Sequence, residues 1–536
     1  MLGLMMNVPL QLSRLIDHAA DFHGETEVVS RRLDGSLERE TWSGMRTRAK
    51  RLAKAMHATG VTADTRIASL TWNTLNHIEL FYAALGLGCP LHTLNPRLTV
   101  DDLSYMIEKV EDTVCFFDSS TLSLAEQIAA SSPAISRWIY LDENDPLPET
   151  RLKNCSRKSD LVKGEDDDFE WPVIDECSAA TICFTSGTTG RPKGVVYTHR
   201  SLTLSAMNMS MADMYGNARN GEQVVAMPIA PIFHANGWLM PFSAPMNGHK
   251  LVLPGQDFSP GSVFEFMASE GVTIAGAVPT VWGALLAEMQ STGNDLPSLR
   301  TALVAGTAIP PPIFDALERK NIDVRQTWGM TEVPGACHAS LPPGSVNLDD
   351  DEQARLRRDR QGRVTCLADM KIVDDDGEKL PSDGVAVGFL RVRGPLVAAR
   401  YLGEPPEQCH DWLDTGDIAR IHADGSLEIV DRAKDVIKSG GEWISSPQLE
   451  AAATNHPAVE LAAAIAIPHP HWQERPLLFC KLRSGMSVTP DELREHMSKK
   501  VAKWWLPEEV RFINEMPMTP TGKISKKELR QLYGND

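Results

Sequence analysis

The chain is 536 residues long, with 53 lysines and arginines against 71 acidic residues and a formal net charge of −18. That length exceeds what one compact core supports, so two or more domains are expected. The negative balance argues against coating nucleic acid or anionic membranes as a role for the whole chain, but leaves room for a local basic site that takes a polyanionic ligand. No apolar run is long enough to cross a bilayer, and the opening Met1-Leu-Gly-Leu-Met-Met lacks the charged start of a signal peptide. The nine cysteines are scattered and contain no Cys-x-x-Cys pair. They read as reduced thiols, neither a disulfide frame nor a zinc site, and the expectation is a cytoplasmic protein.

In chain order, a strand-like run at Arg66–Thr71 is followed by a helix opened by the cap Thr99 and early acids Asp101 and Asp102. Thr113–Phe117 and Lys250–Leu253 are further apolar strands, and Ala179–Phe184 reads as a buried strand ahead of a glycine-rich turn. Residues 142–171, acidic and proline-containing, and 348–363, with charge blocks of both signs, read as surface insertions. Leu390–Arg393 alternates like a half-exposed strand stopped by Gly394-Pro395, and Ser426–Val430 leads into Asp431–Gly441. Thr489-Pro490-Asp-Glu opens a late helix. There is no internal repeat. The alternation predicts a layered α/β architecture with buried sheets, and a domain boundary is placed near Lys434.

The most specific segment is Thr185-Ser186-Gly187-Thr188-Thr189-Gly190-Arg191-Pro192-Lys193-Gly194. Its glycines let the backbone curl round an anion, hydroxyls and amides face phosphate oxygens, and Arg191 and Lys193 add charge. With a helical pattern starting at His199, the expectation is strand, turn and helix forming a phosphate cradle. It is not a Walker A loop, because Arg191 follows Gly190. The order of residues resembles the P-loop of the adenylate-forming superfamily, which includes acyl-CoA synthetases, peptide-synthetase adenylation domains and firefly-type luciferases.

That resemblance extends along the chain. Gln326-Thr-Trp-Gly-Met-Thr-Glu332 is similar to a motif in which Trp328 stacks on adenine, Gly329 and Met330 border the nucleotide, Thr331 contacts the α-phosphate and Glu332 holds magnesium. Gly306, Thr307 and Ala308 match a small-residue strand end beside adenine and the acyl chain. Asp417, in Thr-Gly-Asp, and Arg432 are implied to grip the ribose and nucleotide. Lys434 falls where the family has its hinge, with Asp435 beside it. Lys438, Gly440, Gly441 and Glu442 resemble a loop that shapes the tunnel for coenzyme A. Lys523, in Pro-Thr-Gly-Lys, resembles the adenylation lysine, an ammonium able to bridge the attacking carboxylate and the α-phosphate. His234 and Trp238 lie in a motif lining the acyl and thiol channels.

The resemblance implies an AMP-forming acyl-CoA ligase using ATP, magnesium and coenzyme A, with acyl-adenylate as intermediate. It further implies a large N-terminal domain over 1–433 and a small, mobile α+β domain over 434–536 that rotates between steps. Trp72-Asn-Thr and Leu91–Arg97 look like bacterial medium-chain acyl-CoA synthetases and 3-methylmercaptopropionate–CoA ligases. Amino-acid-activating relatives carry Asp where His234 stands, and acetate-specific ones carry tryptophan at Gly329, so the expected substrate is a short-to-medium or methylthio carboxylate. Alternatives are an aryl-acid or luciferase-like adenylating enzyme, and a non-enzymatic nucleotide-binding scaffold. Nucleic acid is not an expected partner; a homodimer is a family-level expectation.

Overall fold

The computed structural model describes residues 3–32, 34–142, 146–185, 191–211, 214–216, 221–338, 341, 344–440, 442–519 and 522–533. Two seven-stranded sheets organise the N-terminal part. In the first, the spatial order is Cys155–Arg157, Arg137–Tyr140, Val114–Phe117, Ile67–Leu70, Leu91–Thr93, Ala179–Thr185 and Lys193–Thr198. In the second it is Asp323–Gln326, Thr301–Val304, Ile274–Ala277, Val225–Pro228, Lys250–Leu253, Glu27–Arg31 and Leu37–Thr41. Each is parallel except for its last pair. Central strands such as Val114–Phe117 and Thr301–Val304 are buried throughout, as parallel strands covered on both faces require. Helix Leu75–Leu87 is buried at every position but Asn76. One apolar cluster joins it to Ile67 and Leu91 of the first sheet and to Leu251 and Ile274 of the second.

A four-stranded antiparallel sheet follows, made of Asp369–Val373, Gly388–Arg393, Leu413–Ile421 and Leu427–Arg432. Only residues 433–436 separate it from Ile437–Ser439, in the five-stranded sheet completed by Glu442–Ile444, Val459–His469, Gln473–Leu482 and Glu509–Phe512. No helix among the described residues is long and apolar enough to cross a membrane.

Most strands fall where the apolar runs put them; three differences have physical causes. The chain after the glycine-rich segment returns as strand Lys193–Thr198, antiparallel to Ala179–Thr185, before helix His199–Met209 begins. A strand and not a helix N-terminus therefore follows the glycine-rich segment: Val195, Val196 and Tyr197 suit a ladder, and the capping box of Thr198 and Ser201 delays the helix. Residues 142–171 are not all surface. Cys155–Arg157 is an edge strand, and the fully buried Lys158 donates to Glu79 at 2.7 Å and Asn76 at 2.8 Å. In 348–363, acids cluster in the first turn of helix Asp350–Asp359 and Arg357 and Arg358 in the last, so the charge blocks complement the helix dipole. All nine cysteines are free.

Candidate active site

Two sides of a site are built where the ends of the parallel strands contact the four-stranded sheet and the chain leading to it. Strand Ala179–Thr185 delivers Thr185, paired in register with Lys193 across the hairpin. Ser186, Gly187, Thr188, Thr189 and Gly190 lie outside the described residues, as does Gly441. Lys193 Nζ stands 4.5 Å from the Tyr401 ring centroid, and Leu402 N–H donates to the Gly194 carbonyl at 2.8 Å. The Tyr401 hydroxyl donates to Glu332 Oε1 at 2.6 Å. Burial, and next the Glu332 carboxylate, push the Tyr401 phenol far above its ordinary range, so it stays a donor. Glu332 is 5% exposed, and the neighbouring Thr331 carbonyl is fixed by the Tyr197 hydroxyl.

On the other wall, Trp328 Nε1–H donates to Asp417 Oδ2 at 2.9 Å, and Arg432 Nε pairs with Asp417 Oδ1 at 2.7 Å. Asp417 is 1% exposed; burial raises its pKa and the Arg432 guanidinium opposes that rise. Lys523 reaches this wall from the far end of the chain. At Gly306, with φ of +91°, an added Cβ would stand 3.1 Å from Lys523 Cε and 3.3 Å from Nζ, so glycine is what lets the ammonium lie there. Thr280 holds the loop down, its hydroxyl donating to the Gly522 carbonyl at 2.9 Å. Burial, with Arg432 beside it, lowers the Lys523 pKa to about 8. His234 is lowered to about 4 by burial and by the Lys523 charge, and is neutral at physiological pH.

Comparison with known proteins decides the family. The model of the AMP-binding enzyme matches residues 16–402, and that of the AMP-binding enzyme C-terminal domain matches 448–523. The chain belongs to the AMP-binding enzyme family. It is 40% identical to a 3-methylmercaptopropionyl-CoA ligase of Ruegeria lacuscaerulensis, over 99% of each chain. It is also 40% identical to a medium-chain-fatty-acid–CoA ligase of Ectopseudomonas oleovorans, over 100% of this chain and 98% of the other. The anthranilate CoA ligase AuaEII, solved with anthranoyl-AMP, superposes with a TM-score of 0.84 at 22% identity over 98% of both chains, a likeness of fold. Kinship of this extent makes the chain an AMP-forming acyl-CoA ligase, a class that consumes ATP with magnesium and coenzyme A.

Among the described residues of this AMP-binding enzyme, no group of three His, Cys, Asp or Glu side chains could hold a metal by itself. Magnesium keeps waters and phosphate oxygens and asks the protein for one or two carboxylates. Glu332, buried and hydrogen-bonded through one oxygen to Tyr401, is suited to be that carboxylate.

The remaining expected residues are divided. Gly329 faces backbone: an added Cβ would stand 3.2 Å from the Val333 carbonyl oxygen. Met330 pairs with Val333 across the same turn, while Thr307 and Ala308 are exposed at the end of strand Thr301–Val304. Trp238 lies against Gly276, whose added Cβ would meet the indole Cε3 at 3.2 Å. Arg530 donates to the Lys434 carbonyl at 3.3 Å and pairs with Asp435 at 2.5 Å, so both hinge candidates are tied to the last helix, Lys526–Tyr533. Lys438 and Gly440 are exposed and lie elsewhere: Gly440 N–H donates to Trp472 O at 2.9 Å, and Glu442 opens strand Glu442–Ile444. No hydrogen bond or ion pair among the described residues joins Lys438 or Gly440 to Lys523, Asp417 or Glu332.

Sequence reasoning missed Tyr401, Tyr197, Thr280 and the indole–carboxylate bond of Trp328. Tyr401 stands 69 positions from Glu332 with no motif about it, and only the path of the chain after Gly394-Pro395 brings the two together.

Proposed function

We propose that the enzyme activates a short-to-medium-chain or methylthio carboxylate such as 3-methylmercaptopropionate in two steps. The carboxylate oxygen attacks the α-phosphorus of ATP, forming the acyl–O–P bond and expelling pyrophosphate. The sulfur of coenzyme A then attacks the acyl carbon, forming the thioester and releasing AMP. The observation that carries this reading is Lys523, brought from the C-terminal end against Gly306 beside Asp417 and Arg432. In it Lys523 bridges the carboxylate and the α-phosphate, Thr331 contacts that phosphate, and residues 185–193 hold the phosphates that leave. Trp328, Asp417 and Arg432 hold the nucleoside, the indole N–H orienting the carboxylate. Magnesium at Glu332 supplies neutralisation of phosphate charge. His234 and Trp238 border the acyl and thiol routes, and the loop of Lys438, Gly440, Gly441 and Glu442 serves the coenzyme A half.

The acid class rests on the relatives named above and on the modest selectivity an apolar pocket allows per methylene, which a thioether resembles in size and polarity. Two domains, 1–433 and 434–536, follow with the hinge at Lys434 and Asp435; the change of sheet between Arg432 and Ile437 supports that division. Free cysteines favour a cytoplasmic setting. A homodimer, by family analogy, is checked by sedimentation.

Acid-dependent AMP release with coenzyme A is the test, across a series from acetate to decanoate with 3-methylmercaptopropionate and benzoate included. Broad activity over the short and medium acids is expected. A sharp acetate optimum, or turnover confined to aryl acids, overturns the acid class; no CoA-dependent AMP from any of them overturns the activity.

A further inference from the structure

Between strand Val225–Pro228 and helix Met240–Asn247 the chain carries His234 and Trp238, and side chains from other elements hold its backbone. Asn73 donates to the Pro228 carbonyl at 2.9 Å and the Ala230 carbonyl at 3.1 Å, and accepts from Ile232 N–H at 2.8 Å. The Thr93 hydroxyl donates to Phe233 O, that of Tyr215 to Trp238 O and that of Tyr82 to Pro241 O.

At the centre of this segment five consecutive residues have positive φ: Ala235 39°, Asn236 41°, Gly237 56°, Trp238 52° and Leu239 67°. Only one is glycine. Left-handed backbone crowds Cβ against the following carbonyl for every other L-residue, so a run of this kind persists only where its surroundings over-determine it. The surroundings here are fully buried. Asn236 Oδ1 accepts from the Thr181 hydroxyl at 2.5 Å, and its Nδ2 donates to Cys183 Sγ at 3.5 Å. Asn236, Thr181 and Cys183 are each 0% exposed. Thr181 and Cys183 belong to strand Ala179–Thr185, which runs directly into the glycine-rich loop. The outcome of the turn is the placement of the Trp238 ring over Gly276 and beside Met240.

We propose that Thr181 and Asn236 are positioning residues for acid selection: their buried hydrogen bond holds the left-handed turn that seats Trp238 against Gly276 and thereby sets the depth of the acyl site. One strand then registers both the phosphate loop and the acyl wall. The inference rests on the reading of Trp238 as part of that wall.

The test compares kcat/KM for short and long straight-chain acids in Thr181→Val, Thr181→Ser, Asn236→Gly and Trp238→Gly. Thr181→Val keeps the shape and deletes the hydroxyl; Asn236→Gly accepts positive φ and deletes the amide. Both are expected to change the long-to-short ratio by about three- to tenfold through KM for the acid, with KM for ATP moving less than about twofold. Thr181→Ser, which keeps the hydroxyl, is expected to retain the original ratio. A parallel fall for all acids with an unchanged ratio overturns the proposal, and should Thr181→Val fail to fold, Asn236→Gly carries the same comparison. Trp238→Gly separates the two levels. If it leaves the ratio unchanged, the acyl-wall reading itself fails; if it shifts the ratio while Thr181→Val and Asn236→Gly do not, only the clamp fails.

Discussion

Two loops of the C-terminal region meet opposite fates. The loop of Lys523 is pinned by Thr280 and lies against Gly306, within the field of Asp417 and Arg432. The loop of Lys438 and Gly440 packs on Trp472 instead, and Lys438 N–H donates to Glu474 at 2.7 Å. Both are built on one five-stranded region, with Arg530 binding the Lys434 carbonyl and Asp435 to its final helix. Under the proposed roles of the two loops, this arrangement is the one that serves adenylation. The contrast teaches that two loops of one region can meet quite different neighbours.

The largest way to break that contrast is Lys523→Ala. Adenylation, read by acid-dependent ATP–pyrophosphate exchange, is expected to fall about 10²- to 10³-fold, the scale of losing one preorganised charge donor. Thioester formation from supplied acyl-AMP should change little; equal loss in both would erase the distinction. Gly440→Ala probes the other face. At φ of +62°, with an added Cβ 2.8 Å from Trp472 Cε3, the alanine is strained, and thioester formation is expected to drop about tenfold with exchange preserved.

Titration sharpens the same comparison. Burial and Arg432 pull the Lys523 ammonium down to about 8, and in the role proposed for Lys523 the charged form is the one adenylation needs. Its kcat/KM is therefore expected to decline as pH rises through about 8, a limb absent from the thioester half-reaction measured with acyl-AMP. The smallest effect is reserved for Thr280→Val, which removes the bond to Gly522. A net hydrogen bond of about 1 kcal/mol corresponds to roughly a fivefold loss of exchange, again without loss of thioester formation.

How much of this was legible in the sequence follows from how local each feature is. Strands such as Lys250–Leu253 and caps such as Thr99 and Thr489 are settled by neighbours within a few residues, and they stand where pattern and capping chemistry place them. Strand Lys193–Thr198 is not foreseen, because glycine and hydroxyl composition describes a turn without saying whether a helix or a strand receives it. The acidity of residues 142–171 suggests surface, yet Lys158 within them is buried against Glu79 and Asn76, partners that lie far off along the chain.

The sequence by itself determined the chemistry: glycine-rich loop, Glu332, Asp417, Arg432 and Lys523 appear in an order whose family kinship names ATP-dependent acid activation. Only the tertiary structure decided how those groups are tuned and aimed. Tyr401 reaches Glu332, Trp328 binds Asp417, Gly306 admits Lys523, and Thr181 clamps the turn that carries Trp238. Each of those contacts joins residues far apart along the chain, and local composition holds no information about a partner that only the packing of separate sheets brings within hydrogen-bond distance.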